Sequence, residues 1–230
     1  MYDPAAEKMI LMESKKLKVK AVLFDLDGTI LDSRKAYMKA MKAAFSSLGQ
    51  STVDIKTITE IPKRIEQGLS ISDLIGKARV ADFMDIYLKT YYESTASESQ
   101  PIPGVLEMLR KLHAKTKLAI TTMRCVPSKN VLVELKSFGL AKYFEVVLTT
   151  LDTQKPKPSP EALVECARRL GVELNECVVV GDSVVDMEAG KRARAKTVAV
   201  LSGIFSREEL EAENPDLILE SVKDLSHYIV

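Results

Sequence analysis

The sequence predicts an α/β fold, a parallel sheet flanked by helices with a smaller helical segment inserted near its start, and three observations predict it. Short apolar runs at 19–24, 118–121, 144–148, 177–180, 197–201 and 217–219 recur along the chain, apolar at consecutive positions and rich in Val and Ile. That is the pattern of strands buried on both faces. Helical stretches separate these runs, and such alternation yields a parallel sheet. Third, the stretch from Arg34 to Gln100 breaks the rhythm, with helical periodicity and no convincing buried strand.

Taken in order, the run at 19–24 ends in two aspartates, Asp25 and Asp27. The insertion follows. Met38, Met41 and Phe45 in RKAYMKAMKAAFSSLG, then Phe83, Tyr87 and Tyr91 in VADFMDIYLKTYYEST, form its apolar faces. It closes in ESTASESQPIP, a polar, Pro-flanked segment suited to joining domains. Pro103-Gly104 then opens a helix whose stripe is Val105, Leu106, Leu109 and Leu112, and Ser159-Pro160-Glu161 opens another. Gly139 and Gly171 stand where helices should end. The expected division is an N-terminal extension at 1–18, a core from 19–33 and 101–230, and a helical cap at 34–100.

The 230 residues suffice for one large domain with an insertion, and 46% hydrophobic with 28% charged residues is the balance of a globular chain. A net charge of +1 gives no reason to expect nucleic acid or a membrane as partner. The three cysteines, Cys125, Cys166 and Cys177, are widely spaced and include no CxxC pair, so free thiols in a reducing cytoplasm are expected, with Cys125 buried and structural. Only Met9 to Met12 are adjacent apolar residues near the start, too few for a signal peptide or a membrane span.

Ligands of open parallel sheets bind beyond the carboxyl ends of the strands, where Asp25 and Asp27 stand. A calcium loop would need Gly at its sixth position and an acid at its twelfth, where the chain has Ile30 and Ala36. CVVVGDSVVDMEAG repeats the design, with Asp182 and Asp186 on one face of a starting helix. Taken alone, each pair could be an acidic turn or a set of helix N-terminal acids. Together they bring three or four carboxylates to one place, which calls for a hard cation, and Mg²⁺ suits oxygen ligands with open water positions. LAITTMR adds the hydroxyls of Thr121 and Thr122, and TQKPKPSP adds Lys155 and Lys157, groups that suit a phosphate opposite a metal.

FDLDGT, the LAITT strand end, KPKPSP and GDSVVD, in this order, resemble the four motifs of the haloacid dehalogenase superfamily, phosphatase branch, and the likeness spans roughly residues 19–200. The resemblance implies a Rossmann-like three-layer core with an inserted cap. Asp25 would be the nucleophile that forms an aspartyl-phosphate. Asp27 would protonate the leaving oxygen and then deprotonate water, its side chain kept free for that proton. The carboxylates of Asp25 and Asp182 and the backbone carbonyl of Asp27 would hold Mg²⁺, with Asp186 beside them. Thr122 would bind the phosphoryl oxygens, and Lys155, which opens the KPxP pattern, would neutralise them. Gly28 and Thr29 would form the turn into the cap.

Where related phosphatases commonly carry Asn after the second-motif hydroxyl, this chain has Met123 and Arg124. Both are candidates for contact with substrate. Lys63 and Arg64 are the cap's candidates for a substrate carboxylate or a second phosphate. The likeness implies a cytoplasmic, Mg²⁺-dependent phosphatase acting on a small phosphorylated metabolite, in the manner of phosphoglycolate phosphatases. A phosphosugar mutase and a non-catalytic phosphate-dependent regulatory module are the alternatives.

Overall fold

The structure, a computed structural model, describes residues 16–50 and 53–230. Most of the expected N-terminal extension, including the apolar cluster at Met9, lies outside the described residues. Leu17 bridges to Ile229 beside the last turn of the chain.

Six strands form one parallel sheet: β1 (Ala21–Phe24), β4 (Lys117–Thr121), β5 (Val146–Leu148), β6 (Cys177–Gly181), β7 (Lys196–Val200) and β8 (Leu217–Leu219). Their order is β5-β4-β1-β6-β7-β8. The chain therefore builds outward from β1 on one side and then returns to build on the other. That reversal opens a crevice at the carboxyl end of β1.

Each strand faces helices on both sides, because successive side chains alternate across the sheet. Val22, Phe24, Ile120 and Val180 pack on α5 (Val105–His113) and α6 (Ser128–Ser137). Ala21, Leu23, Ala119 and Val179 pack on α7 (Glu161–Leu170) and α8 (Val184–Arg192). All four residues of β1 are buried. Burying both faces explains the unbroken apolar runs and gives the three layers expected from the sequence.

A two-stranded antiparallel ribbon, β2 (Leu31–Asp32) with β3 (Gln100–Pro101), joins the two ends of the insertion. Nothing in the apolar pattern announces strands this short. Between them stand α1 (Arg34–Ser47), α2 (Ile55–Glu66), α3 (Ser72–Ile75) and α4 (Val80–Glu98). These helices share their own core, in which Met41, Phe45, Ile61, Phe83, Tyr87 and Tyr91 meet. Met38, expected on that apolar face, is exposed at 49%. The last core helix, α9 (Arg207–Ala212), lies against the β7–β8 side. Among the described residues, no helix is long and apolar enough to cross a membrane.

Candidate active site

In the register of the sheet, Phe24 lies beside both Ile120 and Val180. Asp25 therefore leaves β1 between the ends of β4 and β6, next to Thr121, Thr122 and Asp182. Its own N–H still donates to the Val180 carbonyl at 2.8 Å, so the backbone that carries the acid is fixed by the ladder.

Asp25, Asp182 and Asp186 are buried, and one carboxylate oxygen from each lies within 4.8 Å of the others. A single ammonium stands among them. Lys157 Nζ donates to Asp25 Oδ1 at 2.8 Å, to Asp186 Oδ1 at 2.6 Å and to the Thr121 carbonyl at 2.8 Å. All three ammonium hydrogens are thereby used. Burial alone would lower the Lys157 pKa, but Asp186 and Asp25 outweigh it and hold the side chain charged. Burial pushes the Asp25 carboxyl up to about 7, against the pull of Lys157. Asp182 is raised well above the carboxylate range by burial and by the Asp25 charge.

Among the described residues Asp182 has no cationic partner; the Thr29 hydroxyl donates to its Oδ1 at 2.8 Å. Its carboxylate is pressed against two glycines. A Cβ on Gly28, which sits at φ +85°, would come within 2.3 Å of Asp182 Oδ2, and one on Gly203 within 1.6 Å. Three hard carboxylates facing one ammonium leave a local excess of negative charge. Such a set of oxygen donors fits a divalent cation of the Mg²⁺ class. Asp186 is oriented by Ser183, whose hydroxyl donates to its Oδ2 at 2.8 Å in a capping box at the start of α8.

Asp27 occupies a separate charge cluster. Arg124 grips it with both arms, Nε to Oδ2 at 2.7 Å and Nη2 to Oδ1 at 2.6 Å. The same guanidinium pairs with Glu134 of α6, and all three side chains are at most 10% exposed. The Ser33 hydroxyl also donates to Asp27 Oδ1, and the Ser99 hydroxyl donates in turn to Ser33. Burial alone would raise the Asp27 pKa, but Arg124 and Ser33 hold it below the ordinary carboxylate value. The expectation of a free Asp27 side chain is therefore corrected: both of its oxygens are engaged. Ser33 and Ser99 flank the ribbon at the insertion's ends, so those ends reach this acid through Ser33.

The lysine expectation is also corrected. Lys155 is exposed on the loop, and its contact is a backbone N–H to Glu161 Oε2 at 3.1 Å. KPKPSP contains the KPxP pattern twice, at Lys155 and at Lys157. Two residues of extended chain span about 7 Å, enough to exchange a buried lysine for a solvated one. The usable signal is proximity to α7, since the second repeat runs directly into its first turn.

Thr122 is buried at the end of β4, and its hydroxyl oxygen accepts the Arg124 N–H at 3.2 Å. Met123 and Arg124 line a cavity of about 110 Å³ next to Asp25, Asp27 and Thr122. The insertion supplies the opposite wall, including Tyr37, Glu66, Tyr87 and Tyr91. Glu66 ends α2, and burial with the nearby Asp186 and Asp25 pushes its carboxyl up to about 8. No sequence pattern marked Glu66 or Glu134.

Lys63 and Arg64 turn away from this cavity. Lys63 pairs with Glu209 of α9 at 2.6 Å, and Arg64 pairs with Glu60 and Asp73 within the insertion. Cys125, expected to be buried, is exposed, whereas Cys166 and Cys177 are buried and all three are free thiols.

A phosphoglycolate phosphatase of Vibrio parahaemolyticus is 31% identical over 217 residues, covering 90% of this chain and 94% of the relative. Pyrophosphatase PpaX of Halalkalibacterium halodurans is 29% identical over 213 residues, covering 91% and 96%. Among solved structures, a haloacid dehalogenase-like family protein from Streptococcus pneumoniae superposes with a TM-score of 0.81 at 21% identity, covering 92% of this chain and 98% of that one, a likeness of fold. The family model for haloacid dehalogenase-like hydrolases matches residues 22–200, and the chain belongs to that family.

Proposed function

We propose that the protein is a Mg²⁺-dependent phosphatase that hydrolyses a small phosphate monoester through an aspartyl-phosphate on Asp25. The observation that carries this reading is the placement of Lys157 between Asp25 and Asp186, beside an Asp182 that has no cationic partner among the described residues, at the carboxyl end of β1. Relatives named for phosphoglycolate and pyrophosphate support the reaction class.

Asp25, Asp182 and Asp186, with the Asp27 backbone carbonyl, are the groups that would hold the cation. When bound it offsets the repulsion between a phosphate dianion and the acidic site. Lys157 fixes Asp25 by Oδ1, which leaves Oδ2 to attack phosphorus. As that bond forms, the bond from phosphorus to the leaving oxygen breaks, and the leaving oxygen takes the proton of Asp27. Water then attacks the phosphoryl group, returns a proton to Asp27, and Asp25 is released. Thr122, whose oxygen already accepts from Arg124, keeps its O–H to donate to a phosphoryl oxygen. Because Arg124 holds the Asp27 pKa below the ordinary carboxylate value, Asp27 must first loosen that pairing and take a proton from water, which it then passes to the leaving oxygen. We infer that the helical insertion acts as a cap over residues 34–100 and excludes water while the phosphoryl group is in transit.

The test is Asp25→Asn. Hydrolysis of p-nitrophenyl phosphate should fall by at least about 10³-fold, and acid-quenched label from a ³²P substrate should disappear from the protein. Full activity in Asp25→Asn would overturn the mechanism.

A further inference from the structure

The cavity between the insertion and the strand ends must receive the leaving group of the substrate, because the acid cluster takes the phosphoryl group. Its lining is unusual for a site meant to hold a second anion. Among the described residues that line it, Arg124 is the sole cation, and both Asp27 and Glu134 already hold that guanidinium. Lys157 is not in the lining, and its three donors are committed. Lys63 faces Glu209 and lies 5.2 Å above the Phe205 ring, outside the cavity.

The distal wall is aromatic and acidic instead. Tyr37 stacks on Tyr91 at 4.8 Å between ring centroids, and Tyr87 continues the row. Glu66 stands beside them, and in either protonation state its carboxyl supplies no positive charge. The Tyr91 hydroxyl, on a side chain only 5% exposed, stands beside the Asp27 carboxylate and the Tyr37 hydroxyl but makes no well-formed hydrogen bond among the described residues. A buried hydroxyl left unpaired is costly, and a substrate hydroxyl reaching it would satisfy both groups. A carboxylate or second phosphate in the same place would be desolvated beside Glu66 and Asp27 with no free cation to meet it.

We propose that the cavity selects a phosphate monoester whose leaving group is neutral and bears a hydroxyl, and rejects one that carries a second anion. This rests on the phosphatase reading above. It separates the chain from what its named relatives act on, since phosphoglycolate and pyrophosphate both present a second anion.

A matched pair tests it. 2-Hydroxyethyl phosphate and 2-phosphoglycolate differ only by a hydroxymethyl group in place of the carboxylate. With Mg²⁺ present, kcat/KM for 2-hydroxyethyl phosphate should exceed that for 2-phosphoglycolate by at least about tenfold. Glu66→Lys, which introduces a cation into the wall, should narrow or reverse that ratio. Tyr91→Phe should lower kcat/KM for 2-hydroxyethyl phosphate several-fold more than it lowers that for 2-phosphoglycolate. Because p-nitrophenyl phosphate lacks both groups, its hydrolysis reports the phosphatase reading separately. Activity on p-nitrophenyl phosphate with a preference for 2-phosphoglycolate would overturn the selectivity alone, as would a Glu66→Lys variant with an unchanged ratio. No Asp25-dependent hydrolysis of any of the three would overturn both.

Discussion

Two clusters of buried charge flank the Asp25–Asp27 turn, and they are balanced differently. On one side, Lys157 stands among Asp25, Asp182 and Asp186, one positive charge against three acids. On the other, Arg124 lies between Asp27 and Glu134, with a bidentate grip on the first. The first cluster is short of positive charge and pushes Asp25 and Asp182 up. The second is nearly closed upon itself and holds Asp27 down. One residue, Leu26, thus separates an acid in a cluster short of positive charge from an acid in a cluster that is nearly balanced.

Breaking the first cluster should have the largest effect. Lys157→Met removes the one cation that orients Asp25, and kcat on p-nitrophenyl phosphate should fall by about 10²–10⁴. Lys155→Met changes a solvated loop residue and should stay within about twofold. Steady-state kinetics of the two variants side by side decide which lysine serves the site, and a comparable loss in both would return Lys155 to it.

That contrast also shows where legibility ended. The strands, the layers and the acids at the ends of β1 and β6 follow from runs buried on both faces and from acids placed just beyond them. Those are local patterns. The choice between Lys155 and Lys157 depends on how a Pro-rich loop is phased against α7, and KPxP fits both phases. Glu134, Glu66 and Tyr91 come to the site from helices packed across the sheet end or across the cavity. Nothing in the periodicity of a helix separates such a residue from its neighbours on the same face. Met123 and Arg124 stood out as a departure from a familiar pattern, but the pairing of Arg124 with Asp27 needed the fold.

Breaking the second cluster should act on stability. Arg124→Met leaves Asp27 and Glu134 buried without their common partner, at a cost of about 3–5 kcal/mol. Urea denaturation of the variant measures it. Adding Glu134→Leu should recover part of that loss, because the second unpaired charge goes with it. A loss below about 1 kcal/mol in Arg124→Met would mean that the two acids find other partners.

The contrast in charge balance can also be sharpened with pH. In the metal-free protein Asp25 and Glu66 have pKa values near 7 and 8, above their ordinary 3.8 and 4.5. The folded state therefore holds more protons than the unfolded state between those limits. Stability present at low pH is lost as pH rises through the folded values. Without metal, Tm should fall from pH 5.5 to pH 8 by on the order of 10 °C. Added Mg²⁺ should raise Tm more at pH 8 than at pH 5.5, since ionised carboxylates bind it better. A Mg²⁺ response that is the same at both pH values would detach the acids from metal binding.

The smallest effect is expected away from both clusters, where the insertion meets the core. Lys63 of α2 pairs with Glu209 at 2.6 Å, and Glu209 is itself held by the Ser206 N–H at 2.6 Å in the cap of α9. This partly exposed pair ties the insertion to the core without touching the cavity, and such pairs are worth about 0–1 kcal/mol. If the insertion closes over bound substrate, Lys63→Met should weaken the closed state by no more than that. The expected result is a KM raised by up to about fivefold, with kcat within about twofold of the parent. Raised salt should increase KM in the parent and have less effect in the variant, because screening acts on the pair that the variant lacks. A fall in kcat at unchanged KM would instead put Lys63 in the chemistry, a role its pairing with Glu209 and its place outside the cavity argue against.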